Sequence, residues 1–167
     1  MPAGATYTTI ATTTLGSDTA SIEFTSISGS YTDLVLVFSG FTNATASGVI
    51  DVVVGNNSYD TGTNYSGTRL IGYSGGTLSD RYSDQNQWQW SSSSSNQCVV
   101  IAQFQNYSNT TTNKTVLQRE NGAGAAVAAN VWLWRSTSAI NRIKLTANNS
   151  GLLKATTTVS LYGIAAA

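Results

Sequence analysis

The chain has no histidine, a single cysteine (Cys98) and a single proline (Pro2), and charged residues make up 10% of its 167 positions, against about 25% in ordinary soluble proteins. Each scarcity excludes a class of chemistry. With no His and one Cys there is no Cys/His zinc site, no His-dependent catalytic triad and no intramolecular disulfide. Eight Lys and Arg balance eight Asp and Glu, so the chain has no electrostatic footprint for nucleic acid or an anionic membrane. The longest apolar runs have the length of Leu34–Phe38, far short of the ~20 residues a membrane helix needs. Met1–Thr9 has neither a basic start nor an apolar core, and Gly163–Ala167 carries no lipidation or retention motif. The expectation is synthesis in the cytoplasm of the source, without a secretory signal.

Hydroxyl side chains are abundant, with 24 Thr and 22 Ser. Hydrophobic periodicity is two almost throughout and β-branched residues dominate, which is a strand pattern. Strands are expected at Tyr7–Leu15, Ile22–Ile27, Leu34–Phe38, Val49–Val54, Thr68–Tyr73, Asn86–Ser91, Gln97–Tyr107, Lys114–Glu120, Val127–Arg135, Ile140–Ala147 and Thr157–Ile164. Gly55-Asn56-Asn57, Gly75-Gly76, Ser91–Asn96, Gly122-Ala123-Gly124 and Asn148–Gly151 supply turn chemistry between them. No window supports a long amphipathic helix, and no repeat of fixed period appears. The pattern predicts one all-β domain over residues 1–167. It is an antiparallel β-sandwich, jelly-roll-like, of about ten strands, with helix below about a tenth of residues. Its expected core is Leu34, Leu36, Phe38, Ile50, Val52, Val100, Ile143, Leu145 and Leu161.

Sites are sparse. Asp80, Arg81 and Asp84 form the one local charge cluster, and a solvated loop set explains them better than a glycosidase carboxylate pair. Cys98 reads as a buried thiol, because no His is present to raise its thiolate fraction. Gly122-Ala123-Gly124 lacks the Lys-Ser/Thr of a phosphate loop. The expectation is a non-enzyme without a cofactor or catalytic residues. Asn56, Asn57, Asp60 and Asn64 place oxygen donors in one loop where Ca2+ could sit, although Asx residues favour turns for their own backbone bonds.

Aromatic residues are the main argument for recognition. In Gln87-Trp88-Gln89-Trp90 the two indoles share one face of a strand and the amides the other. Exposed, Trp88 and Trp90 would stack on a sugar while Gln87 and Gln89 flank it; buried, they are core or interface. The strands at Leu34–Phe38, Val99–Ala102 and Val131–Trp134 are apolar on both faces, yet a sandwich interior covers only one. Outward residues such as Val35, Val37, Val99 and Ile101, with Trp132 or Trp134, therefore want a cover. A subunit interface in a homo-oligomer would supply it, as would long loops folded over a monomer. The trimer is expected from cyclic symmetry together with the family resemblance that follows.

Several stretches together resemble a family of small Thr/Ser-rich virion proteins of tailed bacteriophages, cyanophages especially. They are Tyr31–Val37, Asn64-Tyr65-Ser66, Asn106–Leu117, Leu133–Ile143 with its Leu-Trp-Arg-Ser-Thr opening, and Leu161-Tyr162-Gly163-Ile164. The resemblance implies a non-enzymatic β-sandwich on the virion. One form is a capsid decoration or cement protein that bridges capsomers through the major capsid protein. The other is a carbohydrate-binding module of a tail fibre or capsid surface. The Gln-Trp-Gln-Trp strand departs from that pattern and keeps a host-surface glycan open as a partner.

Overall fold

Alternation of β-branched and aromatic side chains with Thr and Ser suits a pleated surface covered on one side. The computed structural model describes residues 6–43, 48–92, 97–122 and 126–165. Among them there are thirteen strands and no helix. In chain order these are β1 (Tyr7–Thr14), β2 (Ser21–Phe24), β3 (Asp33–Gly40), β4 (Val49–Asn56), β5 (Ser58–Tyr59), β6 (Tyr65–Tyr73) and β7 (Gly76–Gln85). β8 (Trp88–Ser91), β9 (Cys98–Gln105), β10 (Lys114–Gly122), β11 (Ala126–Trp134), β12 (Arg142–Ala147) and β13 (Thr158–Ile164) follow.

Every pairing between strands is antiparallel, and two sheets result. One has eight strands in the order β1-β13-β3-β9-β10-β11-β6-β7. The other has five, β2-β12-β4-β5, with β8 also pairing along β4. The chain passes back and forth between sheets, with β1, β3 and β13 in the first and β2, β4 and β12 in the second, as in a jelly roll. The expected antiparallel sandwich is the observed fold. Its thirteen strands exceed the eleven expected segments because the two-residue β5 and the edge strand β7 add to the count.

The core lies between the sheets. All nine residues expected there, from Leu34 to Leu161, are at most 1% exposed. In β3 the inward positions Leu34, Leu36 and Phe38 alternate with Val35 and Val37, which face away. Packing is close at Gly67 in β6, where an added Cβ would run into the Trp132 ring.

The Asp80–Asp84 stretch is strand rather than loop. Asp80 accepts from Arg69 at 2.5 Å, and past the register irregularity after Tyr82 Asp84 pairs with Arg135 at 2.8 Å. Arg81 faces the other way, opposite Thr68. Residues 93–95 of the Ser91–Ser95 tract and residues 123 and 124 of the Gly122–Gly124 turn lie outside the described residues.

Candidate functional site

A two-sheet sandwich leaves the outer face of each sheet to be covered by something else or by water. The eight-stranded sheet carries unusually apolar residues there. Strand register aligns them in cross-strand rows. One row runs Val35–Gln103–Leu117–Val131–Thr68–Arg81. The next runs Val37–Ile101–Arg119–Ala129–Leu70, and a third Ser39–Val99–Asn121–Val127. Val127 is 64% exposed, Leu70 60%, Val131 45% and Ile101 41%. Two adjoining grooves of about 610 and 660 Å3 run over this face, and Arg119 borders both. Tyr7 and Tyr162 close one end of the first groove, edge to face with their ring centres 6.4 Å apart.

Four of the six residues expected at an interface, Val35, Val37, Val99 and Ile101, do share this outward face. The structure extends it to Leu117, Val127, Val131 and Leu70. Trp132 and Trp134 do not belong to it. Alternation along β11 turns Ala128, Asn130, Trp132 and Trp134 inward and Val127, Ala129, Val131 and Leu133 outward. Trp132 stacks on Tyr82 with ring centres 5.5 Å apart, and Trp134 donates its indole N–H to Asp60 at 2.7 Å.

The expected sugar platform is corrected in the same way. Trp88 is 0% and Trp90 2% exposed. β8 belongs to the smaller sheet and directs both indoles into the sandwich, where Trp88 meets Tyr65 and Phe104 and Trp90 meets Phe38. Gln89 faces out and donates to Asp51 at 2.7 Å, while Gln87 is half-buried beside the strand start. Burying two large aromatic surfaces outweighs leaving two amides in water, so the apolar face of β8 turns inward.

The Asn56–Asn64 loop holds a different arrangement from a cation site. Asp60 Oδ1 accepts from the Gly62 N–H at 2.9 Å, and Oδ2 accepts from Trp134 Nε1 and from Asn64 Nδ2 at 2.9 Å. Burial raises the Asp60 pKa, but these three bonds outweigh it and hold the carboxyl below its ordinary range. Asn56 Nδ2 donates to the Ala139 carbonyl at 3.0 Å. Both Asp60 oxygens are thus engaged with N–H donors, the arrangement of an Asx turn.

The inner face of β10 and β11 is unexpectedly polar. Gln118, Glu120 and Asn130 are buried between the sheets. Glu120 Oε2 accepts the Ser91 N–H of β8 at 2.8 Å and Oε1 accepts from Asn130 Nδ2 at 3.3 Å, so one carboxyl ties the two sheets together. Burial raises its pKa above the usual carboxylate range despite those bonds and the nearby Arg69. Cys98 is buried at the edge of this seam, with its sulfur 3.8 Å from Ser92 Oγ. Nothing in the alternation of β10 distinguished this seam from ordinary core, because a strand pattern shows which residues share a face but not what lies opposite.

No family model and no curated protein matches the chain. Among solved structures, it is similar to the carbohydrate-binding module of a Ruminococcus gnavus sialidase, bound to α2,3-sialyllactose. Identity is 9%, coverage 96% of this chain and 95% of that one, and the TM-score 0.47. A homodimeric agglutinin from chicken liver is 9% identical over 84% of this chain and 98% of its own, with a TM-score of 0.35. A Shewanella oneidensis protein of unknown function is 10% identical over 98% of this chain and 77% of its own, with a TM-score of 0.28.

Proposed function

We propose that the protein is a non-enzymatic structural subunit of a virion, which seats the outer face of its eight-stranded sheet on a protein lattice as a capsid decoration protein does. The observation that carries this reading is the patch of exposed aliphatic residues, Leu70, Ile101, Leu117, Val127 and Val131, spread over three adjoining cross-strand rows. Apolar faces of this extent mark interaction surfaces rather than free ones. The grooves present mainly aliphatic side chains, with amides, two tyrosines, one guanidinium and Glu120 at the border of the second, a lining that suits adhesion. The resemblance to tailed-phage virion proteins supplies the lattice.

The test is binding of the purified protein to phage heads that lack it, followed by electron microscopy of the label. Ile101→Asp and Val131→Asp are expected to keep the β-rich circular dichroism spectrum and to lose binding. Unchanged binding by both variants would defeat the reading. A second reading, carbohydrate binding, is favoured by one observation: Tyr7, Tyr162, Gln103 and Arg119 line the same groove, a ring, amide and guanidinium set that sugar sites use. Glycan-array binding that Tyr162→Ala abolishes would favour it.

A further inference from the structure

We infer that the partner surface is itself apolar and carries carboxylates that pair with Arg119 and Arg81, an inference that rests on the decoration reading above. Eight cationic side chains exist in the chain. Arg69, Arg135, Lys144 and Lys154 are in ion pairs. Lys114 donates to the carbonyls of Thr112 and Thr137, and Arg142 lies over the Tyr59 ring. Only Arg81 and Arg119 have no ion pair, hydrogen bond or ring contact among the described residues. Both are exposed, and both stand on the outward face of the eight-stranded sheet.

The anions are distributed oppositely. Besides the four in ion pairs, Asp33 accepts the Asn106 N–H, Asp51 accepts from Gln89 and Asn148, Asp60 has the three donors given above and Glu120 is buried. No carboxylate lies in the three central rows of the outward face. A molecule of zero net charge therefore presents a face bearing two unmatched positive charges on an aliphatic floor.

That pattern selects the occupant. Two copies stacked through these three rows would bring four guanidinia and no carboxylate into the contact, leaving charges desolvated and uncompensated. A neutral apolar partner would desolvate Arg119 at the centre of the contact with nothing to receive its donors. A partner that places carboxylates over the two arginines satisfies them, and Arg forms bidentate pairs with carboxylates. The two Cα positions are three strands and one row apart, roughly 16 Å, so two separate acidic groups are required.

The experiment uses the full chain and heads purified from a phage deleted for its gene, with affinity measured against salt concentration. Wild-type protein is expected to bind and to weaken as salt rises. Arg119→Gln should bind roughly tenfold more weakly at low salt and with a shallower salt dependence, Arg81→Gln should lose less, and Arg119→Lys should recover part of the loss. Equal affinities and salt slopes for wild type and both Gln variants would overturn the inference and leave the decoration reading standing. Failure of the wild type to bind heads would overturn both. Self-association of the free protein through this face, abolished by Val131→Asp and unaffected by Arg119→Gln, would also overturn it in favour of a second copy.

Discussion

Glu120 is a carboxylate 7% exposed between two sheets, joining β10 to the Ser91 N–H of β8. Its folded pKa is raised above the ordinary value by burial, while the Ser91 and Asn130 bonds and Arg69 pull it down. A raised carboxyl pKa contributes stability below its unfolded pKa, and that contribution is lost as pH rises through the folded value. Asp18, Glu23 and Asp80 act in the opposite sense. Bonds from Lys154, Lys144 and Arg69 hold them low, so their contribution is lost as pH falls. Glu120→Gln keeps the shape and an acceptor for Ser91 but removes the titration. The melting temperature of the variant should rise relative to wild type as pH goes from acid to mildly alkaline. The other carboxylates titrate in both proteins and cancel in the difference. A difference flat in pH would show that Glu120 does not titrate in its buried position.

The strand β8 shows how far a sequence pattern reaches. Alternation places Trp88 and Trp90 on one face and the glutamines on the other, and the structure agrees. Which face is covered depends on the sheet opposite, and nothing local encodes that. A platform reading would have buried amides without partners, which costs more than leaving them in water. The inward choice makes a direct prediction: Trp90→Ala should cost about 3–5 kcal/mol of stability, read from urea unfolding. A variant as stable as wild type would place the indole at the surface. Strands apolar on both faces were legible for the same reason in reverse. One apolar set had to face outward whichever side the core lay, and in the structure that set includes Val35, Val37, Val99 and Ile101, which mark the candidate face. Its charges, Arg81 and Arg119, were not legible, since their importance comes from the partners they lack. β7 was hidden too. An edge strand such as Ser79–Asp84, polar on both faces, has no alternation to read.

Topology is the property furthest from local sequence, because strands at opposite ends of the chain pair here. β1 lies along β13, with Tyr7 opposite Ile164 and Thr14 opposite Thr158. β13 in turn lies between β1 and β3. The two terminal strands differ in composition, β1 being Thr-rich and β13 mostly apolar, and their positions differ accordingly. β1 is an edge strand of mostly exposed residues, with Ile10 and Ala11 only partly buried against the core. β13 is internal and contributes Val159 and Leu161, both 0% exposed. Removing residues 1–14 should therefore leave a folded but less stable protein whose newly bared β13 edge invites association. Removing residues 158–167 takes out two core side chains and the ladder that joins β1 to β3, and should prevent folding. Far-UV circular dichroism and resistance to limited proteolysis on the two truncations distinguish the outcomes. A folded chain lacking residues 158–167, or an unfolded one lacking residues 1–14, would contradict this strand order. Formation of the sheet must wait for the last strand to close against segments far away in sequence. Refolding of the intact chain should accordingly lie toward the slow, millisecond-to-second end of the range for single domains.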